Sequence, residues 1–472
     1  MLKLSGLLAV FMLMPEMVAL AQSRPGGSLV IVGGGLEADN KTVFQEMITR
    51  AGGAEKAIFA VIPSAGGAPV QSYVWFRSEL MMYGVNPANI HLIPIAMIDD
   101  DSTASVNESE WKNNGNDPEL ATLIRKCTGI WFTGGDQLRT VRMLYNPDGS
   151  RTEVLKAVWE VYSRGGMIGG TSAGAAIMSE VMIAAGTSIA ALTGGIVTHY
   201  NGNDFPEDSA LFVTRGLGFF PHGVMDQHFN QRARIGRLAL LVSNPPPIPG
   251  TSGSSMQNQR PEEEHRQTGP GSSSSSEKLK GSTGKEMDKN TRRDRRTIGF
   301  GIDENTAMIY DAAGERMWVQ GAGGVTIVDP VGAEFVNLKG LPMIRNLQIT
   351  YLEEGDAFDF TTGTALPAPG KSAIAGRERY DDPFIDQAGI LDPGPKSFRE
   401  LYTRYMADHK SKDAIVTLTR TSVKSGFRLI LRKTGSFRGY STTGEGTGYG
   451  YMVSGISMDI EPVRIAVETI GP

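Results

Sequence analysis

The chain has 472 residues, enough for two or three domains, and 40% of them are hydrophobic, as in soluble globular proteins. A formal net charge of −5 gives no support to a general nucleic-acid role. The single cysteine, Cys127, excludes an intrachain disulfide framework and a cysteine zinc cluster, and its apolar neighbours mark it as core filler.

The first residues read as an export signal. Lys3 supplies the positive region, residues 7–14 the apolar core, and Ala19-Leu20-Ala21 a small-x-small cleavage site. Pro15 and Glu16 interrupt the apolar run, which is too short to span a bilayer. The expectation is a signal peptide over 1–21 and a mature protein in the periplasm or the medium, without a membrane partner.

From residue 28 the pattern alternates between buried strands and helices. Strands are expected at 28–32, 57–62, 90–93 and 130–132, with helices at 43–48 and around Tyr73, Phe76, Leu80 and Met81. That alternation implies a parallel sheet covered on both faces, with its site at the carboxyl ends of the strands. Three glycine-rich loops lie there, at 33–35, 134–135 and 169–174. The first lacks the third glycine of a dinucleotide fingerprint. The second brings Asp136 and Gln137 to the same cleft, with the amide of Gly135 as an oxyanion donor. The third, Gly170-Thr171-Ser172-Ala173-Gly174, has the spacing of a nucleophile elbow. It places Ser172 at a strained apex, with the amide of Ala173 as the other oxyanion donor and a helix running on to Met182.

A histidine at the end of a strand is expected in Val224-Met225-Asp226-Gln227-His228. His228 is favoured over His222 as general base, because Asp226 and Gln227 look like cleft lining whereas Pro221-His222-Gly223 looks like a turn. Arg232, Arg234 and Arg237 follow. They read either as a solvated helix face or as a subsite for a carboxylate. Residues 244–297 hold almost no large apolar residues and read as a disordered insertion placed to cap or widen the cleft. Beyond it, Asp303 or Glu304 is available to orient His228. Residues 356–472 read as a small α+β accessory region, with a helix at 397–408 and strands at 415–419 and 427–432.

With Phe132-Thr133-Gly134-Gly135-Asp136-Gln137, the elbow, Asp226-Gln227-His228-Phe229 and Gly301-Ile302-Asp303-Glu304-Asn305-Thr306-Ala307 in this order, the chain resembles the cyanophycinases. They share a serine peptidase family with the aspartyl dipeptidase peptidase E. The resemblance covers roughly residues 28–355, so the catalytic domain is expected over 22–355. It implies an α/β fold: a flavodoxin-like, doubly wound, mostly parallel sheet related to class I glutamine amidotransferases. It also implies a triad of Ser172, His228 and Glu304, which selects Glu304 over Asp303. Gln137, Asp226, Gln227, Arg232, Arg234 and Arg237 are implied as substrate-binding. The implied substrate is cyanophycin, an aspartate-backbone polymer with arginine on each side-chain carboxyl, or a related Asp-containing peptide. No metal or organic cofactor is implied, and a homodimer is among the expectations. The alternatives are a peptidase E-like dipeptidase or amidase with another acidic substrate, and a surface-binding protein with a degenerate pocket.

Overall fold

The computed structural model describes residues 26–200, 205–248, 297–384, 389–393, 397–411, 415–442 and 450–466. The expected signal peptide and most of the 244–297 insertion lie outside the described residues.

The apolar runs of the first half become strands because each is covered on both faces. Ser28–Val32, Phe59–Ile62 and Gly129–Phe132 are buried at every position, as parallel strands under helices are. Together with Ile90–Leu92 and Met167–Thr171 they form a parallel block in the order Ile90–Leu92, Phe59–Ile62, Gly129–Phe132, Met167–Thr171, Ser28–Val32. Beyond Ser28–Val32 the sheet continues antiparallel through Thr306–Asp311, Arg316–Gly321, Ala357–Asp359 and Thr364–Leu366. The molecule is thus mixed α/β with a large, parallel-rich sheet. The covering helices begin at side-chain caps: Asn40, Asp117, Asp136 and Thr152 each accept an N–H from the first turn that follows.

A second nine-stranded sheet was not anticipated from the sequence. Its main path runs Lys371–Ala373, Ser425–Thr442, Tyr451–Arg464, Leu341–Glu353, Gly324–Asp329, Ile298–Ile302, Gly223–Asp226. Glu334–Leu338 and Ile415–Arg420 pair at its sides. Only Gly223–Asp226 and Ile298–Ile302 are parallel in it. His228 lies just beyond the carboxyl end of this parallel pair. Ile298, where the chain resumes after the insertion, lies at the remote end, paired with Gly223.

One expectation is corrected. The helix after Ser172 is a single turn, Ala173–Ala176, and the chain then forms the strand Val181–Ala185 against Leu211–Arg215. The β-branched Val181 and Ile183 suit that pairing better than a longer helix. The tail is not packed apart from the rest. Its long hairpin extends the second sheet from Leu341–Glu353, while Ala357–Asp359 and Thr364–Leu366 join the first. Leu401, Tyr402, Leu429 and Met458 share one hydrophobic cluster with Leu238 and Leu241 of the helix Ile235–Ser243.

A buried ion pair sits at the start of the tail, beside the end of the strand Leu341–Glu353. Lys371 Nζ lies 2.7 Å from Asp356 Oδ2, with the two side chains 2% and 0% exposed. Asp356 also accepts the N–H groups of Glu353 and Ala368. Removing one partner of such a pair leaves a buried charge uncompensated. Lys371→Ala is therefore expected to lower unfolding stability by about 3 kcal/mol, read as a lower urea midpoint. An unchanged midpoint would show that the pair does not stabilise the fold.

Candidate active site

The site is assembled at the end of the strand Ser28–Val32. Three successive carbonyls there accept three backbone N–H groups from distant parts of the chain. Val32 O takes Ser172 N–H at 3.0 Å, Gly33 O takes His228 N–H at 2.7 Å, and Gly34 O takes Asn305 N–H at 2.8 Å. All three donors are left-handed, with φ of 55°, 46° and 52°. That region is sparsely used by residues other than glycine and marks turns held by their surroundings.

At the first turn Ser172 is the apex between Met167–Thr171 and the helical turn Ala173–Ala176. A Cβ on Gly170 would stand 2.7 Å from Gly174, and one on Gly174 would stand 2.4 Å from Phe132 O. The elbow therefore requires both glycines. From its apex Ser172 Oγ reaches His228 Nε2 at 2.7 Å, and His228 Nδ1 reaches Glu304 Oε1 at 2.6 Å. An Nδ1–H donating to Glu304 leaves the Nε2 lone pair facing the serine hydroxyl. Burial holds the His228 pKa below the ordinary imidazole value, with the Arg232 and Arg234 charges acting the same way and the Glu304 hydrogen bond acting against them. Burial thus favours the neutral ring that a general base requires.

Glu304, not Asp303, faces His228. Asp303 is turned inward and accepts Asn230 N–H and Gly324 N–H, each at 3.1 Å. Its burial pushes the carboxyl up to about 7. His222 lies away from the site, stacked on Phe360 at 3.9 Å with Glu315 2.9 Å from its Nε2.

The Gly134-Gly135 loop lies against the elbow, since a Cβ on Gly134 would be 3.4 Å from Ser172 Cβ. Gly135, at φ 139°, passes so close to Ala65 O that a side chain there would overlap it. Ala173 opens its helical turn, so its N–H has no partner within that turn. Asp136 is tied to the start of the next helix. It caps the helix Gln137–Leu144 by accepting Leu138 N–H at 2.8 Å. Gln137 is 7% exposed, and its amide donates to the carbonyls of Ile183 and Ala184 at 3.0 and 2.6 Å.

The arginines divide in a way the sequence did not show. Arg237 turns its fork onto both oxygens of Asp226 and donates to Gly186 O. Arg234 donates to Gln227 O at 2.6 Å and lies 3.4 Å from Asp226 Oδ1. Asp226, Arg234 and Arg237 are 0%, 7% and 3% exposed. They are neither a solvated face nor an open carboxylate subsite, because all three are buried and bonded to internal partners. Arg232 alone of the three is exposed. Gln227 is buried, and its Oε1 has no hydrogen-bond partner among the described residues.

Several supporting residues escaped the sequence reading. Gly34 lies against the His228 ring, and Gly35 approaches Glu304 Oε2. Asn305 Oδ1 accepts Asn40 Nδ2 at 2.7 Å and Glu37 N–H at 3.1 Å, which fixes the turn after Glu304. Gln231 Oε1 accepts Glu304 N–H at 3.1 Å. The glycine run after the first strand was the one available signal, and without the spacing of a dinucleotide fingerprint it assigned no role to that loop.

Residues 29–252 match the model of peptidase family S51. The chain is 28% identical to the cyanophycinase of Synechococcus elongatus over 345 residues, 71% of this chain and 80% of that protein. It is 28% identical to the cyanophycinase of Trichormus variabilis over 356 residues, 74% of this chain and 90% of that protein. The cyanophycinase of Geminocystis herdmanii is 26% identical over 348 residues, covering 71% and 94%.

Two expected outcomes follow from the geometry around His228. A Cβ on Gly34, at φ 108°, would stand 2.2 Å from His228 Cε1 and 2.5 Å from Nε2. Gly34→Ala should therefore slow fluorophosphonate labelling of Ser172 by about 100-fold, the effect of misplacing a reacting group by an ångström. Labelling at the wild-type rate would show that the ring tolerates displacement. Secondly, the Arg232 charge disfavours protonation of His228. Arg232→Gln should raise the His228 pKa, so the acid limb of the labelling profile moves to higher pH. A limb that stays put or moves down would contradict the electrostatic account.

Proposed function

We propose that the chain, whose residues 29–252 match the model of peptidase family S51, is an exported serine exopeptidase releasing β-Asp-Arg dipeptides from cyanophycin. The observation that carries this reading is the continuous hydrogen-bond relay Ser172–His228–Glu304, within the span over which the chain resembles named cyanophycinases. The order of the parallel strands supports a flavodoxin-like, doubly wound reading of the sheet. Export rests on Lys3, the apolar run over 7–14 and Ala19-Leu20-Ala21.

In the proposed reaction His228 Nε2 takes the Ser172 proton as Oγ attacks the scissile carbonyl. Glu304 holds the imidazole tautomer and stabilises the imidazolium. The amides of Gly135 and Ala173 receive the oxyanion. His228 returns the proton to the leaving amine, and water activated by the same imidazole releases the acyl group from Ser172. Exposed Arg232 offers a bidentate fork to a substrate carboxylate.

One observation favours the second reading, a dipeptidase or amidase with another acidic substrate. Arg234 and Arg237 are committed to internal partners, so the cationic subsite is smaller than three arginines. Incubation with insoluble cyanophycin, followed by mass analysis, separates the two. β-Asp-Arg is the expected product, from a protein whose mature N-terminus is Gln22. Release from short Asp-X peptides alone would favour the second reading, and a retained N-terminus would remove export. Ser172→Ala should lower hydrolysis by about 10⁶, as loss of a triad nucleophile does. More than a few per cent of residual activity in the pure variant would remove Ser172 from the mechanism.

A further inference from the structure

The tail is bonded directly to the turn that carries His228. Ser397 caps the helical segment that begins Phe398–Glu400 and continues, in wider π winding, through Leu401–Ala407. Phe398 is the first residue after that cap, so its N–H has no partner within the helix. It donates instead to Asn230 Oδ1 at 2.9 Å. Asn230 lies two residues after His228, and its own N–H goes to Asp303 Oδ1 at 3.1 Å. Asp303 immediately precedes Glu304. One asparagine therefore joins the histidine turn, the residue beside the triad acid and the tail.

The apolar contacts run the same way. The Phe229 ring fills the space above Gly301, where a Cβ would come within 2.3 Å of it, and meets Phe398 at a ring separation of 5.8 Å. The far side of the segment is anchored in turn. Arg399 Nε donates to Glu353 Oε1 at 2.6 Å, and Glu353 Oε2 accepts Tyr451 N–H at 2.6 Å. The path from the tail hairpin to His228 is thus Tyr451, Glu353, Arg399, Phe398, Asn230. His228 and Ala233 on this turn both sit in left-handed backbone, at φ 46° and 49°. Backbone in that region persists only when its surroundings over-determine it. Gly33 O restrains the turn from one side, and Asn230 restrains it from the other.

We propose that Asn230 is a positioning residue for His228, and that the segment Phe398–Ala407 is an intramolecular brace acting through it. The proposal rests on the Ser172–His228–Glu304 reading and gives the tail a part in the same reaction. It requires that the brace sets the reactivity of Ser172 rather than stability alone.

The test uses full-length protein and a fluorophosphonate probe, whose reaction with Ser172 needs the base but no natural substrate. Asn230→Ala should slow labelling by about 10-fold, and lower kcat on cyanophycin by the same factor with KM within twofold, because the base is misplaced while binding is kept. Asn230→Asp retains the acceptor for Phe398 N–H and should restore labelling to within about threefold of wild type. Arg399→Gln loosens the segment from its far end, at a side chain 41% exposed, and should slow labelling measurably in a folded protein. Wild-type labelling in folded Asn230→Ala, with only a lowered Tm, would overturn the brace. So would unchanged labelling in Arg399→Gln, which decides the matter if Asn230→Ala is insoluble. Wild-type protein that labels but leaves cyanophycin intact would overturn the substrate and leave the brace standing. Wild-type protein inert to the probe would overturn the triad and the brace together.

Discussion

Everything at this site depends on the carbonyls of Val32, Gly33 and Gly34. Each takes the amide of one turn, and those turns bring Ser172, His228 and Glu304 together from positions far apart in the chain. The side chains touch only because their backbones are pinned to one short stretch at the end of a strand that is buried along its whole length. The strand is fixed on one side by Met167–Thr171 and on the other by Thr306–Asp311. Two of the three triad turns are thus continuous with its immediate neighbours in the sheet. The third arrives from the second sheet, through Gly223–Asp226. The site is the seam between the two sheets, and preorganisation of this kind lets a relay act without rearranging during reaction.

The charges beneath the site follow the same logic. Asp226 is buried between Arg234 and Arg237, and a buried carboxylate is tolerable only with such partners. With two guanidinium groups to one carboxylate, the cluster carries net positive charge. Arg234 from this cluster disfavours the imidazolium form of His228. The arginines that a sequence assigns to substrate thus hold the second sheet onto the helix Ile235–Ser243 and help keep the base neutral. Arg232 is left at the surface beside His228.

What could be read from the residues was local chemistry. The elbow glycines, the histidine at a strand end and the parallel strands of continuous apolar residues all carry signals within a few positions of themselves. The long-range partners were not legible. Nothing in Asp226-Gln227-His228 says that Arg237 will fold back onto Asp226 rather than face a ligand, because both arrangements satisfy a guanidinium fork. Asp303 and Glu304 are adjacent carboxylates, and only the paths of two strands decide which reaches the imidazole. The glycine run at 33–35 does not name its partner, because close approach to an aromatic ring and close approach to an anion both demand a missing Cβ. The tail escaped because its strands pair with residues about a hundred positions earlier, and alternation within a strand does not name its partner.

The central place of Ser28–Val32 also bears on when the protein can form during synthesis. One edge of that strand must wait for Met167–Thr171, and the other for Thr306–Asp311. Roughly 280 residues separate the strand from its last partner, which at about 5–20 residues per second is a delay of some 15 to 60 seconds. Until then an apolar strand at the centre of the sheet lacks a neighbour along one edge. Such a topology has high contact order, which slows folding and prolongs exposure of sticky intermediates. The arrangement that gathers three distant turns onto one tripeptide therefore makes the chain dependent on late-synthesised residues before its first strand is secured.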